Sequence, residues 1–151
     1  MYAAGMTIKK ENYDAFCQKF EEVVASSIQE ESLLPAIDID AEMRVNDIDA
    51  EFFKILRRLG PFGPGNMSPV FQSKRVLAKN IMPVGKEKTH LKLSVFDPEY
   101  PQKPIAAIAF GLGQWAEEIV EGVMFDVVYS IEENAWNGRS ELQLNIKDIR
   151  I

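Results

Sequence analysis

A chain of 151 residues with 46% hydrophobic and 26% charged residues has the composition of a soluble globular protein and fits one ordinary domain or two small ones. No apolar run approaches the roughly 20 residues a membrane helix needs, the apolar part of MYAAGMTIKK is too short and lies ahead of its charges, unlike a signal peptide, and the single Cys17 excludes an internal disulfide and suits a reducing cytoplasm. The net charge of −6 argues against nucleic acid until it is divided: residues 1–60 hold 7 Lys/Arg against 12 Asp/Glu, whereas residues 70–97 hold six bases against two acids.

Residues 2–8 are small and apolar and read as a short strand. Asn12 is placed to cap a helix running to about residue 28, in which Tyr13, Phe16, Phe20, Val23 and Val24 recur at helical spacing as one apolar stripe. Cys17 lies among those rings and reads as a buried, inert thiol. Pro35 ends the connection that follows. Over residues 36–45, Ile37, Ile39, Ala41 and Met43 alternate with Asp38, Asp40, Glu42 and Arg44, the pattern of a half-buried strand. Asn46 or Asp47 can cap a second helix with a core face of Ile48, Phe52, Ile55, Leu56 and Leu59. Arg57 and Arg58 complement the negative end of its dipole, and Gly60 and Pro61 stop it.

The string GPFGPGN at residues 60–66, followed by SPVF at 68–71, cannot lie inside a helix or a central strand: proline lacks a donor and glycine gives up too much entropy. It reads as a shaped crossing between two units. Beyond it the apolar pattern changes to period two, with strands expected over 70–80, 89–97, 105–110, 123–132 and 139–149 and a short helix-like segment over 112–120. Five strands with one helix after the third is the layout of an OB-fold barrel. The fold class is therefore α+β: a partial α/β piece (strand, helix, strand, helix) over 1–60, a linker over 61–69, and a five-stranded barrel over 70–151.

Catalysis has little support in these residues. His90 is the lone histidine, with no cysteine or second histidine beside it for a metal cluster. The pairs Asp38/Asp40 and Asp47/Asp49 read as solvated or capping carboxylates before they read as a divalent-ion site. Gly111–Gly113 lacks the rest of a dinucleotide fingerprint, and no nucleophile, base and oxyanion site assemble. Binding of single-stranded nucleic acid is better supported, because an OB barrel offers its second and third strands flanked by two loops. The first loop, 81–88, contributes Lys86 and Lys88. The outward face of the second strand contributes His90 and Lys92, while Lys74, Arg75 and Lys79 lie on the first. The last hairpin, Trp136-Asn137-Gly138-Arg139, carries the Asn-Gly pair of a type I′ turn and sets Trp136 and Arg139 opposite each other. Cations to follow phosphates and aromatic faces to stack on bases are what such binding requires. Trp136 can equally cover its own hairpin or pack on a neighbouring domain, and His90 and Lys92 can be an ordinary solvated strand face.

The blocks YAAGMTI at 2–8, LGPFGPGNMSPVF at 59–71, HLKL at 90–93, AIAFGLG at 107–113 and NAWNGRSELQL at 134–144 give the chain a further character. In order and spacing it resembles the C-terminal part of RecJ-type single-strand-specific 5′→3′ DNA exonucleases over almost its whole length. The resemblance implies that residues 1–60 close a DHH-associated domain and that residues 70–151 are the family's OB domain. The family's Gly-Gly-His motif and its aspartate and histidine motifs for Mn2+ or Mg2+ are missing here. The expectation is a segment with no metal of its own and no nuclease activity alone, from an enzyme acting in DNA repair and recombination. Its expected partners are single-stranded DNA and the catalytic domains of the same polypeptide. The alternative is a structural clamp or protein-interaction domain that closes the nuclease around DNA.

Overall fold

The structure is a computed structural model that describes residues 5–28, 36–136 and 139–151. The chain divides into two compact units, Met1–Ile37 and Asp38–Ile151. The linker expected at 61–69 thus falls inside the second unit.

In the first unit a 3₁₀ turn, Lys10–Asn12, leads into α1, Tyr13–Ser27. Asn12 ends that turn and makes no side-chain capping bond. The described part of the strand expected at 2–8 is irregular backbone. The stripe on α1 is real in its spacing, with the Phe16 and Phe20 rings 5.7 Å apart, but Tyr13, Phe20 and Val23 are each more than half exposed. Cys17 is exposed too, which corrects its reading as a buried thiol. Spacing put these residues on one helical face, of which Phe16 and Val24 are half-buried.

The second unit is a closed barrel. Among the described residues its strands are β1 (Ala41–Glu42), β2 (Phe71–Val84), β3 (His90–Phe96), β4 (Ile105–Ala109), β5 (Phe125–Trp136) and β6 (Arg139–Arg150). The order β2-β3-β4-β6-β5 closes by β5 pairing back on β2; all pairs are antiparallel except β4 with β6. One strand can serve both neighbours because β2 is long and bulged. Its register shifts after Ser73 and after Lys79, and within these bulges Arg75 and Asn80 take left-handed φ of 53° and 56°. Each bulge bends the strand and adds twist, so its first half pairs with β5 and its second half with β3.

Alternation on these strands sends Leu91, Leu93 and Val95, Ala107 and Ala109, and Phe125, Val127, Tyr129 and Ile131 into one core. Ile119, after the 3₁₀ turn Gly113–Ala116, is buried in the same core; only that single turn forms of the helix expected over 112–120. On β6 the inward phase changes from Leu144 and Ile146 to Ile149, because the register shifts opposite Val128 and Tyr129.

Residues 38–60 build onto this barrel. The strand expected over 36–45 shortens to β1, which pairs in parallel with Phe71 and Gln72 on the edge of β2 away from β5. Ile37 and Ile39 are exposed, against the expected half-buried alternation. The second helix, α2 (Ala50–Leu56), is capped by Asp49, whose Oδ1 accepts the Phe52 N–H at 2.8 Å, and not by Asn46 or Asp47. Val45, Ile48 and Leu56 join the core, and Phe52 meets Phe71 edge-on at 5.8 Å; Ile55 and Leu59 face solvent. After α2 the glycine–proline string folds into a turn in which Gly63 and Asn66 exchange backbone hydrogen bonds of 2.8 and 2.9 Å. Asn66 also donates from its amide to the Leu59 and Pro61 carbonyls, giving the end of the helical segment a partner for an otherwise orphan acceptor.

Candidate nucleic-acid interface

The outer face of β2, β3 and β4 is fixed by what the inner face buries. Because Leu91, Leu93 and Val95 point inward, His90, Lys92, Ser94 and Phe96 point outward; because Ala107 and Ala109 point inward, Ile108 and Phe110 point outward. Pairing then aligns these residues in rows. Met82, Lys92, Ile108 and Asn145 stand opposite one another across β2, β3, β4 and β6. The neighbouring row is Lys79, Ser94, Ala106 and Gln143. Directly opposite residues on a sheet face lie about 4.5–5.5 Å apart at Cβ, so each row forms a continuous strip.

Lys79 places its ammonium 5.6 Å from the centre of the Phe96 ring, which holds the cation over the face. Lys92 is exposed. The loop expected over 81–88 is shorter than its sequence indicates: β2 continues to Val84, and the turn is residues 85–88, closed by the Lys88 N–H on the Gly85 carbonyl at 3.1 Å. Gly85 and Lys88 take φ of 93° and 56° in this turn, and Lys86 and Lys88 are exposed on it. The structure therefore brings Lys79, Lys86, Lys88, His90 and Lys92 to one face and one adjoining turn.

His90 is tied into the scaffold. Its Nδ1 accepts the Gly111 N–H at 3.1 Å and lies 3.3 Å from Thr89 Oγ1, and its ring meets Phe110 edge-on at 5.3 Å. The next turn locks the same corner: the Gly113 N–H donates to the Thr89 carbonyl at 2.9 Å, and a Cβ on Gly113 would run into the Lys88 carbonyl and the Thr89 backbone. The two glycines of the GLG string are thus structural. Gly111, at φ 75°, aims its N–H at His90, and Gly113 permits a close backbone approach.

Lys74 and Arg75 stand elsewhere. They sit five and four residues before Lys79 on β2, at its first bulge. Lys74 is bound to Glu42 at 2.6 Å, and this hydrogen bond raises its pKa. Arg75 occupies the bulge, where its N–H donates to Asp126 Oδ1 at 2.9 Å and its guanidinium lies 3.6 Å from Met124 Sδ. Trp136 and Arg139 are paired in register at the end of the β5–β6 hairpin; Asn137 and Gly138 lie outside the described residues. On β5, Glu133 pairs with Arg57 at 3.3 Å, and Glu132 accepts from Asn145 at 2.6 Å, at the end of the row that holds Lys92.

Sequence reasoning left out Phe110, Ile108 and Met82. The alternation over residues 105–110 was a usable signal for the first two: it sends Ile108 and Phe110 to the same side as Lys92. Met82 needed the bulge after Lys79, which resets the phase of β2.

No three His, Cys, Asp or Glu side chains converge as a metal site among the described residues. Asp40 and Asp49 spend their carboxylates on the N–H groups of Val70 and Phe52. No described helix is long and apolar enough to cross a membrane.

Residues 39–148 match the family model described as RecJ OB domain. Among curated proteins, the chain is 29% identical over 149 residues to the single-stranded-DNA-specific exonuclease RecJ of Bacillus subtilis, covering 99% of this chain and 19% of that protein. It is 28% identical to the Haemophilus influenzae protein of the same name, covering 94% and 24%. Among solved structures, RecJ from Thermus thermophilus in complex with Mn2+ superposes with a TM-score of 0.71 at 18% identity, covering 97% of this chain and 20% of that one. The form in complex with Mg2+ gives 0.68. The chain thus spans about a fifth to a quarter of the length of these relatives.

Proposed function

The chain belongs to the RecJ OB domain family, and from that premise we propose that its barrel holds single-stranded DNA for a RecJ-type 5′→3′ exonuclease of DNA repair and recombination. The observation that carries this reading is the outer face of β2–β4, where Lys79 and Lys92 flank apolar and aromatic side chains and Lys86 and Lys88 border them on the adjoining turn. A duplex turns its phosphates outward and would set charge against Met82, Ile108 and Phe110. A single strand can turn its bases to that surface and its phosphates to the lysines.

The residues described do not fit a divalent-ion centre, so we assign the Mn2+ or Mg2+ chemistry of such an enzyme to the rest of the polypeptide, with the catalytic domains as this chain's partner in the cytoplasm. The expected end of a DHH-associated domain is read as the residues before about 38, since residues 39–148 match the OB model and Val45, Ile48 and Leu56 pack in the barrel core. Alone, the chain is expected to show no Mn2+-dependent nuclease activity.

The test is fluorescence anisotropy with labelled oligo-dT across a salt series. Binding is expected at low salt. A K79A/K92A variant is expected to bind more weakly and with a salt slope shallower by about 1.4, at about 0.7 per lost phosphate contact. Unchanged affinity and slope in that variant would remove this face from consideration.

A second reading, a clamp or docking domain, draws on the exposed Ile55, Leu59 and Met67 along the outside of the second unit, at 61%, 59% and 76% exposure. It predicts no oligo-dT binding at low salt and no change in tryptophan fluorescence on adding DNA.

A further inference from the structure

We propose that Phe110 is a base-stacking platform of the single-strand site and that His90 is the residue that positions it. The inference rests on the reading above and adds a residue that contacts bases, not phosphates.

Phe110 follows β4 directly and leaves 60% of its surface in water. A single exposed aromatic ring means little; this one is not isolated. It continues the strip of Ile108 and Met82, the latter 53% exposed, and stands across from His90 beside the cationic Lys92. A patch of apolar surface framed by cations on an otherwise acidic chain fits an occupant with flat apolar faces and a negatively charged thread, which is the chemistry of unpaired nucleotides.

The ring is also held in advance of binding. The His90 and Phe110 planes stand at 75° with centroids 5.3 Å apart, an edge-to-face contact that fixes the orientation of Phe110 while most of its surface stays open to solvent. His90 is in turn held by the Gly111 N–H on Nδ1, a bond that needs the left-handed turn at Gly111. An aromatic group already in its bound orientation loses less entropy when a base stacks on it. His90 uses its Nδ1 inside the protein and is therefore a positioning residue, acting through Phe110.

The experiment compares oligo-dT with an abasic oligonucleotide of the same length, which keeps the phosphates and lacks the bases. The wild-type chain is expected to bind oligo-dT more tightly than the abasic strand. F110A is expected to lose roughly 5- to 150-fold for oligo-dT, the range of one stacked base, and to leave abasic binding unchanged. F110W is expected to retain the preference. H90A is expected to lower the dT-to-abasic ratio, and H90N, which keeps an acceptor near the place of Nδ1, to restore part of it. Because the ring is exposed, an unchanged melting temperature checks that F110A is folded. Equal losses for both oligonucleotides, or an unchanged ratio in F110A while K92A still weakens binding, would overturn the assignment of Phe110 and leave the cationic face standing. No binding of oligo-dT by the wild-type chain would overturn both.

Discussion

Arg44 donates from Nε to Asp97 Oδ2 at 2.8 Å and from Nη2 to Glu99 at 2.6 Å, joining two points 53 residues apart. The guanidinium also lies 5.4 Å from the centre of the Tyr100 ring. Arg44 precedes the glycine–proline string and Asp97 directly follows β3, so the pair fastens the segment before α2 to the barrel.

This pair sets an acid limit on stability. The hydrogen bond from Arg44 holds the Asp97 carboxyl below the ordinary carboxylate range, against the opposing effect of its burial and with help from the Glu99 N–H. A folded-state pKa below the unfolded one means that the contribution is complete above about pH 3.9 and is lost as pH falls through the lowered value. Thermal melts from pH 7 down to pH 2.5 are expected to show this loss. D97N is expected to melt lower at pH 7 and to have a flatter acid limb.

An alkaline limit is expected from Tyr129. Its hydroxyl is buried, 2.7 Å from Ser73 Oγ, and Ser73 donates onward to the Met43 carbonyl at 2.7 Å. Burial chiefly pushes the phenol up to about 12, a neighbouring Asp47 adds to this, and the Ser73 bond works against it. The neutral form is favoured in the fold, so this contribution holds below pH 10 and fades as pH rises through about 12, roughly 2–3 kcal/mol in all. Y129F is expected to cost about 0.5–1.5 kcal/mol at neutral pH and to remove most of the alkaline drop in denaturant melts. S73A, which strands both partners, is expected to cost more, about 1–3 kcal/mol.

Gly113 tests the corner that carries the turn. A methyl group there would overlap the Lys88 and Thr89 backbone, where nothing can swing aside. G113A is expected to destabilise the chain by about 1–3 kcal/mol, as overpacking of a close contact does. It is also expected to weaken oligo-dT binding, because residues 85–88 must shift. G63A, with nothing within 4 Å of its added Cβ, is the control in the same melting and anisotropy assays.

Lys74 separates charge from placement. Its ammonium is already bound to Glu42 and stands well along β2 from Lys79. K74A is expected to leave the salt slope of oligo-dT binding unchanged, whereas K92A lowers it by about 0.7. A lower slope in K74A would extend the interface across the first bulge.

Much of the barrel was legible in the sequence. Period-two alternation needs only local information, since successive strand residues point to opposite faces, and Leu91, Leu93 and Val95 or Phe125, Val127 and Tyr129 follow it into the core. His90 and Lys92 were placed on the outer face for the same reason. The family blocks carried the identification that the matched model bears out. The same local signal failed for Ile37, Ile39, Ile55 and the stripe on α1, because periodicity states which residues share a face and not whether another layer covers it. It also missed Met82 and the inward turn of Ile149, since a bulge resets the phase and is set by the neighbouring strand.

The sequence by itself determined the alternation of faces along the unbulged stretches of the barrel strands, the basic character of residues 70–97 and the break at GPFGPGN, all properties of neighbours in the chain. Only the tertiary structure decided which cations share a surface. Lys74 and Lys79 are five residues apart and equally basic on paper. Folding binds the first to Glu42 on β1 and sets the second over Phe96 on β3. A charge becomes available to a ligand through what stands beside it in space, and strand pairing, which joins residues distant in sequence, is what chooses that neighbour.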